Sequence, residues 1–159
     1  MALTLTSPDF AHEADIPARF TCEGDDVSRG LRWSGVPAGA RSLALVVDDP
    51  DAPDPAAPRR VWVHWLLYNL PAADGDLATA IPSRMLPGHT LSGSNDWGRT
   101  GYGGPCPPIG RHRYFFRLFA LDVMLPDLRQ PTRAQLDAAM AGHVLETAVL
   151  MGRYQKTGR

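Results

Sequence analysis

The sequence predicts a single all-β, mainly β, domain, and three observations carry that prediction. Glycine and proline number 15 each in 159 residues, close to a fifth of the chain against a typical ~12%, which implies many turns and little room for long helices. Apolar stretches rich in β-branched and aromatic residues recur between those turn signals. Helical periodicity is confined to one late segment, so one or two short helices are expected near the C-terminus. A chain of this length fits one hydrophobic core and no second domain, so residues 1–159 are read as one unit.

The expected strands are residues 3–6, 18–22, 31–34, 42–48, 62–70 and 114–122. Residues 42–48 (SLALVVD) and 62–70 (WVHWLLYNL) are continuously apolar instead of alternating, as expected for central strands covered on both faces. The helix is expected over 133–141: Thr132 and Gln135 have capping-box spacing, and Leu136, Met140 and Val144 repeat every four residues. Gly142 is placed at the end of that turn. Residues 144–154 fit either a helical turn followed by a strand or a strand alone, and periodicity does not choose.

Sixteen basic residues against seventeen acidic ones give a net charge of −1, too small a field to hold nucleic acid or an anionic membrane surface. No apolar run approaches the ~18–20 residues of a membrane span, and the first ten residues lack the pattern of a signal peptide, so the cytoplasm is the expected location. Cys22 and Cys106 are too few for a disulfide framework and lack C-x-x-C spacing. They are read as two buried or half-buried thiols, with an approach of one to the other left open.

Two segments carry more than connection. Between Arg84 and His112 lie seven glycines and four prolines with Trp97 and Tyr102 embedded among them, which suggests an ordered loop held by rigid residues and aromatic anchors. Residues 48–60 (DDPDAPDPAAPRR) leave a buried strand and crowd Asp48, Asp49, Asp51 and Asp54 together. Such carboxylates repel unless something cationic or hydrogen-bonding answers them.

In strand geometry His64 shares a face with Trp62, and His112 with Tyr114, Phe116 and Leu118, while Arg113 points the other way. Either histidine alone reads as a core imidazole satisfied by backbone. The pair, beside a carboxylate loop and a Gly/Pro loop, reads as a site. A metal centre lacks histidine spacing, and none is expected. Nucleophilic catalysis would rest on Cys106 between two prolines, with His64 and His112 as acid and base. An anion pocket uses imidazoles, a phenol and Gly-turn N–H groups as donors and indoles and prolines as walls. Asp49 and Asp51 would then orient histidines and pair with Arg113.

Three ordered motifs, DDPDAP (48–53), WVHW (62–65) and GGPCPPIGRHRYFF (103–116), resemble the phosphatidylethanolamine-binding protein family, also called Raf kinase inhibitor proteins. FTCEGDDVS, LRWSGVPAGARSLALVVDDPDAP and GSNDWGRTGYGGPCPP resemble its bacterial and archaeal branch, and the similarity runs from about residue 17 to 154. The resemblance implies a Greek-key β-sandwich with a small anion pocket at one end, no cofactor, and a cis peptide bond at Ala52–Pro53. Carried over, the ligand-binding residues are Asp49, Trp62, His64, Gly104, Pro108, His112 and Tyr114, with Asp51 supporting and Arg113 structural. The implied ligand is phosphate, a phosphorylated small molecule or a head group. A kinase or protease partner and a homodimer are further implications. The chain departs from the branch at Ser28-Arg29-Gly30-Leu31, commonly S-P-P-L, and has only Ile109, Gly110 and Arg111 between the prolines and H-R-Y. A narrower, more cationic pocket mouth is the expectation. The chain also lacks an obvious C-terminal helix of the kind that gates the pocket in eukaryotic members, so inhibition of Raf is not carried over. The alternatives are a hydrolase using His64 and His112 with Cys106 or water, and a protease inhibitor acting through surface loops.

Overall fold

The computed structural model describes residues 2–156. Its strands are β1 (Thr4–Thr6), β2 (Leu31–Ser34), β3 (Ser42–Ala52), β4 (Arg60–Leu70), β5 (Gly75–Leu77), β6 (Leu91–Ser92), β7 (Arg111–Leu121) and β8 (Val144–Gln155), with one helix, α1 (Arg133–Met140). They form a three-stranded sheet in the order β1-β2-β5 and a five-stranded sheet in the order β6-β4-β3-β7-β8. All the strand pairings are antiparallel.

The continuous apolar run of β3 is explained by what lies on its two faces. Leu43, Leu45 and Val47 join Leu5, Leu31, Trp33 and Leu77 of the small sheet in the sandwich core. Ala44 and Val46 face the other way, into a second core closed by Leu136 and Met140 of α1 together with Leu121 and Leu125. A strand buried on both sides gains nothing from polar alternation.

The helix forms where the sequence places it. Thr132 accepts from the Gln135 backbone N–H while the Gln135 side chain accepts from Thr132 N–H, closing both arms of the capping box. Gly142 follows at φ +80°, a left-handed conformation that suits glycine and turns the chain into β8. From there β8 is one strand, paired with β7 from Arg111↔Gln155 to Leu121↔Val144. The tertiary ladder overrides any local helical tendency at residues 144–147.

The segment at 18–22 is a correction: it is a 3₁₀ turn over Ala18–Phe20. Thr21 explains it, since its N–H and its hydroxyl both donate to the Ala18 carbonyl, at 3.0 and 2.8 Å, and curl the chain before it can pair. The short strands β5 and β6 carry too few residues for a sequence pattern to reveal.

Candidate functional site

A β-bulge re-aims the end of β4. Val47 pairs with Trp65 and Asp48 with Val63, so His64 is the extra residue of that ladder. His64 and Trp65 consequently face the sandwich side together, and the His64 backbone is released to the Gly-rich loop. Gly103 N–H donates to the His64 carbonyl at 3.0 Å, and His64 Nδ1 lies 2.7 Å from Gly103 O. A carbonyl only accepts, so Nδ1 carries the hydrogen of the neutral ring.

The loop that meets this bulge is ordered around Asn95. Its side-chain oxygen accepts from Trp97 N–H and Arg99 N–H, and its amide donates to Gly101 O. Trp97 is thereby set edge-on to both His64 and Trp62, with ring centroids 5.2 and 5.4 Å away.

On β7 the inward positions are His112 and Tyr114. Asp49 Oδ2 lies 2.6 Å from His112 Nδ1, and His112 Nε2 faces the carbonyls of Ile109 at 2.8 Å and Pro53 at 3.1 Å. Nε2 must then carry a hydrogen, and a single proton lies between Nδ1 and Asp49. Burial pushes the Asp49 carboxyl upward, against the hydrogen bond from His112. Asp51 faces outward: burial opposes its ionisation, but Arg113 outweighs that with two guanidinium bonds at 2.9 and 3.0 Å and a backbone N–H at 2.8 Å, holding the carboxyl low. Asp48 lies on the opposite face of β3, against Arg117 and Arg133 at 2.9 and 2.7 Å. The crowded carboxylates of 48–51 are therefore each answered by a different cation or imidazole.

These elements enclose a cavity of about 540 Å³. Six of the expected residues line it: Asp49, Trp62, His64, Pro108, His112 and Tyr114. Asp51 and Gly104 are not on its wall. Gly104 instead donates its N–H to Asp26 Oδ1 at 2.9 Å, in a space where a Cβ would lie 2.4 Å from Phe20 O.

The donor inventory also changes. His112 has both nitrogens engaged within the wall, and the N–H groups of Gly103 and Gly104 are spent on protein oxygens. His64 Nε2 and Tyr114 Oη, both buried, have no hydrogen-bonding protein partner among the described residues. Burial pushes the His64 imidazolium down to about 4, against the pull of the Gly103 carbonyl, and pushes the Tyr114 phenol upward.

Arg59, Arg60 and Trp97 on the cavity wall were not among the expected residues. Arg60 had a readable signal, since it stands two positions before Trp62 and four before His64 in strand period. Its guanidinium lies 4.5 Å from the centre of the Trp62 ring and 3.4 Å from Asp96. These arginines make the wall cationic, whereas Arg111 turns away to Asp15 at 3.5 Å.

Cys22 and Cys106 are joined in a disulfide, with Cα atoms 5.4 Å apart. The expectation of two thiols is thus overturned. Cys22 N–H donates to Pro105 O at 3.1 Å, so the turn at 18–24 and the Pro-rich loop are already in register for the bridge.

Comparison with known proteins agrees with this architecture. The pattern of the family described as phosphatidylethanolamine-binding protein matches residues 6–155. The chain belongs to that family. A UPF0098 protein of Methanothermobacter thermautotrophicus is 44% identical over 155 residues, covering 97% of this chain and 99% of the relative. A second, from Chlamydia pneumoniae, is also 44% identical, over 98% of this chain and all of the relative. Among solved structures, a phosphatidylethanolamine-binding protein homologue of Chlamydia trachomatis superposes with a TM-score of 0.89 at 41% identity, covering 98% of each chain. E. coli YbcL, described as a member of the mammalian family, superposes at 0.87 with 30% identity, over 99% of this chain and all of that one. Family members of bacterial origin therefore share this two-sheet frame. Among the described residues, no helix is long and apolar enough to cross a membrane.

Proposed function

We propose that this chain is a non-enzymatic binding protein that takes a phosphate-type oxyanion, free or carried on a phosphorylated small molecule or head group, in the cavity at the end of the sandwich. The observation that carries the reading is the pair of buried, unpartnered polar atoms, His64 Nε2 and Tyr114 Oη, on two residues that line a cavity together with Arg59 and Arg60. Each buried polar atom without a partner costs about 1–3 kcal/mol, so a ligand that satisfies both recovers that cost. A cavity of about 540 Å³ is far larger than an oxyanion, and the indoles of Trp62 and Trp97 suit an apolar body attached to the anionic head.

The hydrolase alternative is weakened. Cys106, its nucleophile, is bonded to Cys22, and the His112 ring is engaged on both nitrogens. Modulation of a kinase would follow from a phosphorylated segment of the partner entering the same cavity. A cytoplasmic location belongs to the same proposal, and there reductants would act on the exposed Cys22–Cys106 bridge.

The test is calorimetric titration with inorganic phosphate and phosphoethanolamine. Saturable binding that weakens at least about tenfold in Tyr114→Phe, as expected for loss of a bond to a charged acceptor, supports the reading. Absence of binding by wild-type protein, or equal binding by the variant, defeats it.

A further inference from the structure

We propose that the cavity selects oxyanions that carry a proton of their own: an acidic O–H of the ligand donates to His64 Nε2 while a second ligand oxygen accepts from Tyr114 Oη–H. The inference rests on the oxyanion reading above and narrows it to a chemical class, hydrogen phosphate and phosphomonoester monoanions, with sulfate and phosphomonoester dianions excluded.

The geometry fixes the direction of each bond. His64 Nδ1 is 2.7 Å from Gly103 O, and because a carbonyl has no hydrogen to give, the neutral ring presents Nε2 as a bare lone pair. His64 and Tyr114 are 3% and 1% exposed, so water reaches neither ring freely. Their rings meet edge to face with centroids 5.2 Å apart, and both line the cavity. Neither Nε2 nor Oη bonds to the other or to any other protein group among the described residues. One acceptor and one donor therefore sit on two rings in contact. A ligand with only acceptor oxygens satisfies the donor and sets a lone pair against a lone pair at Nε2.

The charged surroundings keep His64 from escaping this by taking a proton itself. Behind the pocket, the Arg29 guanidinium stacks 4.2 Å from the centre of the Phe116 ring, one inward position along β7 from Tyr114. Burial holds the His64 imidazolium down to about 4 against the pull of the Gly103 carbonyl, and Arg29 and then His112 add to the lowering while Asp48 opposes it. On the β3 and β7 side stand Asp49 and His112 with their shared proton, and on the β4 side Arg59 and Arg60.

The experiment uses the unmodified protein and three probes between pH 6 and 8.5: inorganic phosphate, methyl phosphate and sulfate. Inorganic phosphate keeps at least one O–H throughout this range and should bind throughout it. A phosphomonoester loses its last proton near pH 6, so methyl phosphate should weaken by about tenfold per pH unit above that point. Sulfate has no proton, and a site built around a hydrogen bond rejects an analogue lacking it by at least about a hundredfold. If sulfate matches phosphate, or methyl phosphate binds evenly across the range, the proton-bearing class is wrong while the oxyanion pocket stands. If none of the three binds, the oxyanion reading itself falls, and this inference with it.

Discussion

Arg29 is a fully buried guanidinium, 1% exposed, with no carboxylate at ion-pairing distance among the described residues. Its Nη2 donates to Tyr102 Oη at 2.5 Å, while Nε and Nη1 have no protein partner among the described residues. What surrounds it is aromatic: Phe10, Phe20, Tyr102 and Phe116 lie 4.2 to 5.9 Å from its Cζ. Burial lowers its proton affinity and, above any help from Arg29, pushes the Tyr102 phenol up to about 12. Tyr102 immediately precedes Gly103, whose carbonyl fixes His64. Arg29 therefore acts on the cavity twice, by positioning that loop and by lending an unneutralised positive charge to the floor. Replacing it by methionine removes a desolvated charge and leaves an apolar chain of similar reach inside a ring of aromatics. We expect Arg29→Met to hold or raise stability, by up to about 2 kcal/mol, while phosphate affinity drops about three- to tenfold. Urea midpoints and phosphate titration on the same preparation separate the two effects. A less stable variant with unchanged affinity would make Arg29 a packing residue only.

At the scale of elements, the Pro-rich loop is held from two directions. Gly103 O, Gly104 N–H and Ile109 O bond to His64, Asp26 and His112, and Cys106 is tied to Cys22 across 84 residues of sequence. In the chain-entropy account, a cross-link closing a loop of that size restricts the unfolded chain by about 4.6 kcal/mol. We expect Cys22→Ser/Cys106→Ser to lower the unfolding free energy by up to that amount, with the strand and helix content of the folded state unchanged. Equilibrium unfolding with circular dichroism checks this; no change in midpoint would mean that the bridge adds nothing to the loop's own hydrogen bonds. The same loop marks how far the sequence could be read. Strands β1, β2, β3, β4 and β7 and the capped helix were legible because each carries an apolar run bounded by turn signals or a capping signal of its own. The side chains that converge, Trp62, His64, His112 and Tyr114, were legible because strand period puts each pair on one face. Three things were not. The turn at Ala18–Phe20 depends on one threonine hydroxyl, the pairing of Cys22 with Cys106 depends on a contact between loops, and the consumption of the His112, Gly103 and Gly104 donors depends on which oxygens lie opposite them. None of these leaves a trace in spacing.

For the whole molecule, the two cores flank β3, and the polar cost is concentrated at one end of the sandwich, where a neutral imidazole is locked away from water. That cost has a pH signature. In the unfolded chain His64 takes a proton near 6.5, whereas in the fold it does so only near about 4. Between those values the unfolded state binds a proton that the native state does not, so stability falls as the pH is lowered through this window and levels off below it. The full span corresponds to about 3 kcal/mol at 1.36 kcal/mol per pH unit. Two carboxyls of the site also titrate: Asp49, raised by burial, favours the fold as the pH is lowered toward its ordinary 3.8, and Asp51, lowered by Arg113, disfavours it as the pH falls below that value. Asp51 therefore does not act in the range from pH 6.5 to about 5, and Asp49 acts alike in wild type and in a variant at His64. His64→Gln retains an N–H able to reach Gly103 O and does not titrate. Urea unfolding of wild type and His64→Gln, run in phosphate-free buffer to avoid ligand linkage, should give curves that converge as the pH falls across that range. The difference between the two curves should change by up to about 1.4 kcal/mol per pH unit. Parallel curves would mean that His64 meets the proton in the fold as easily as in the open chain, and that its ring is not held neutral at the cavity floor.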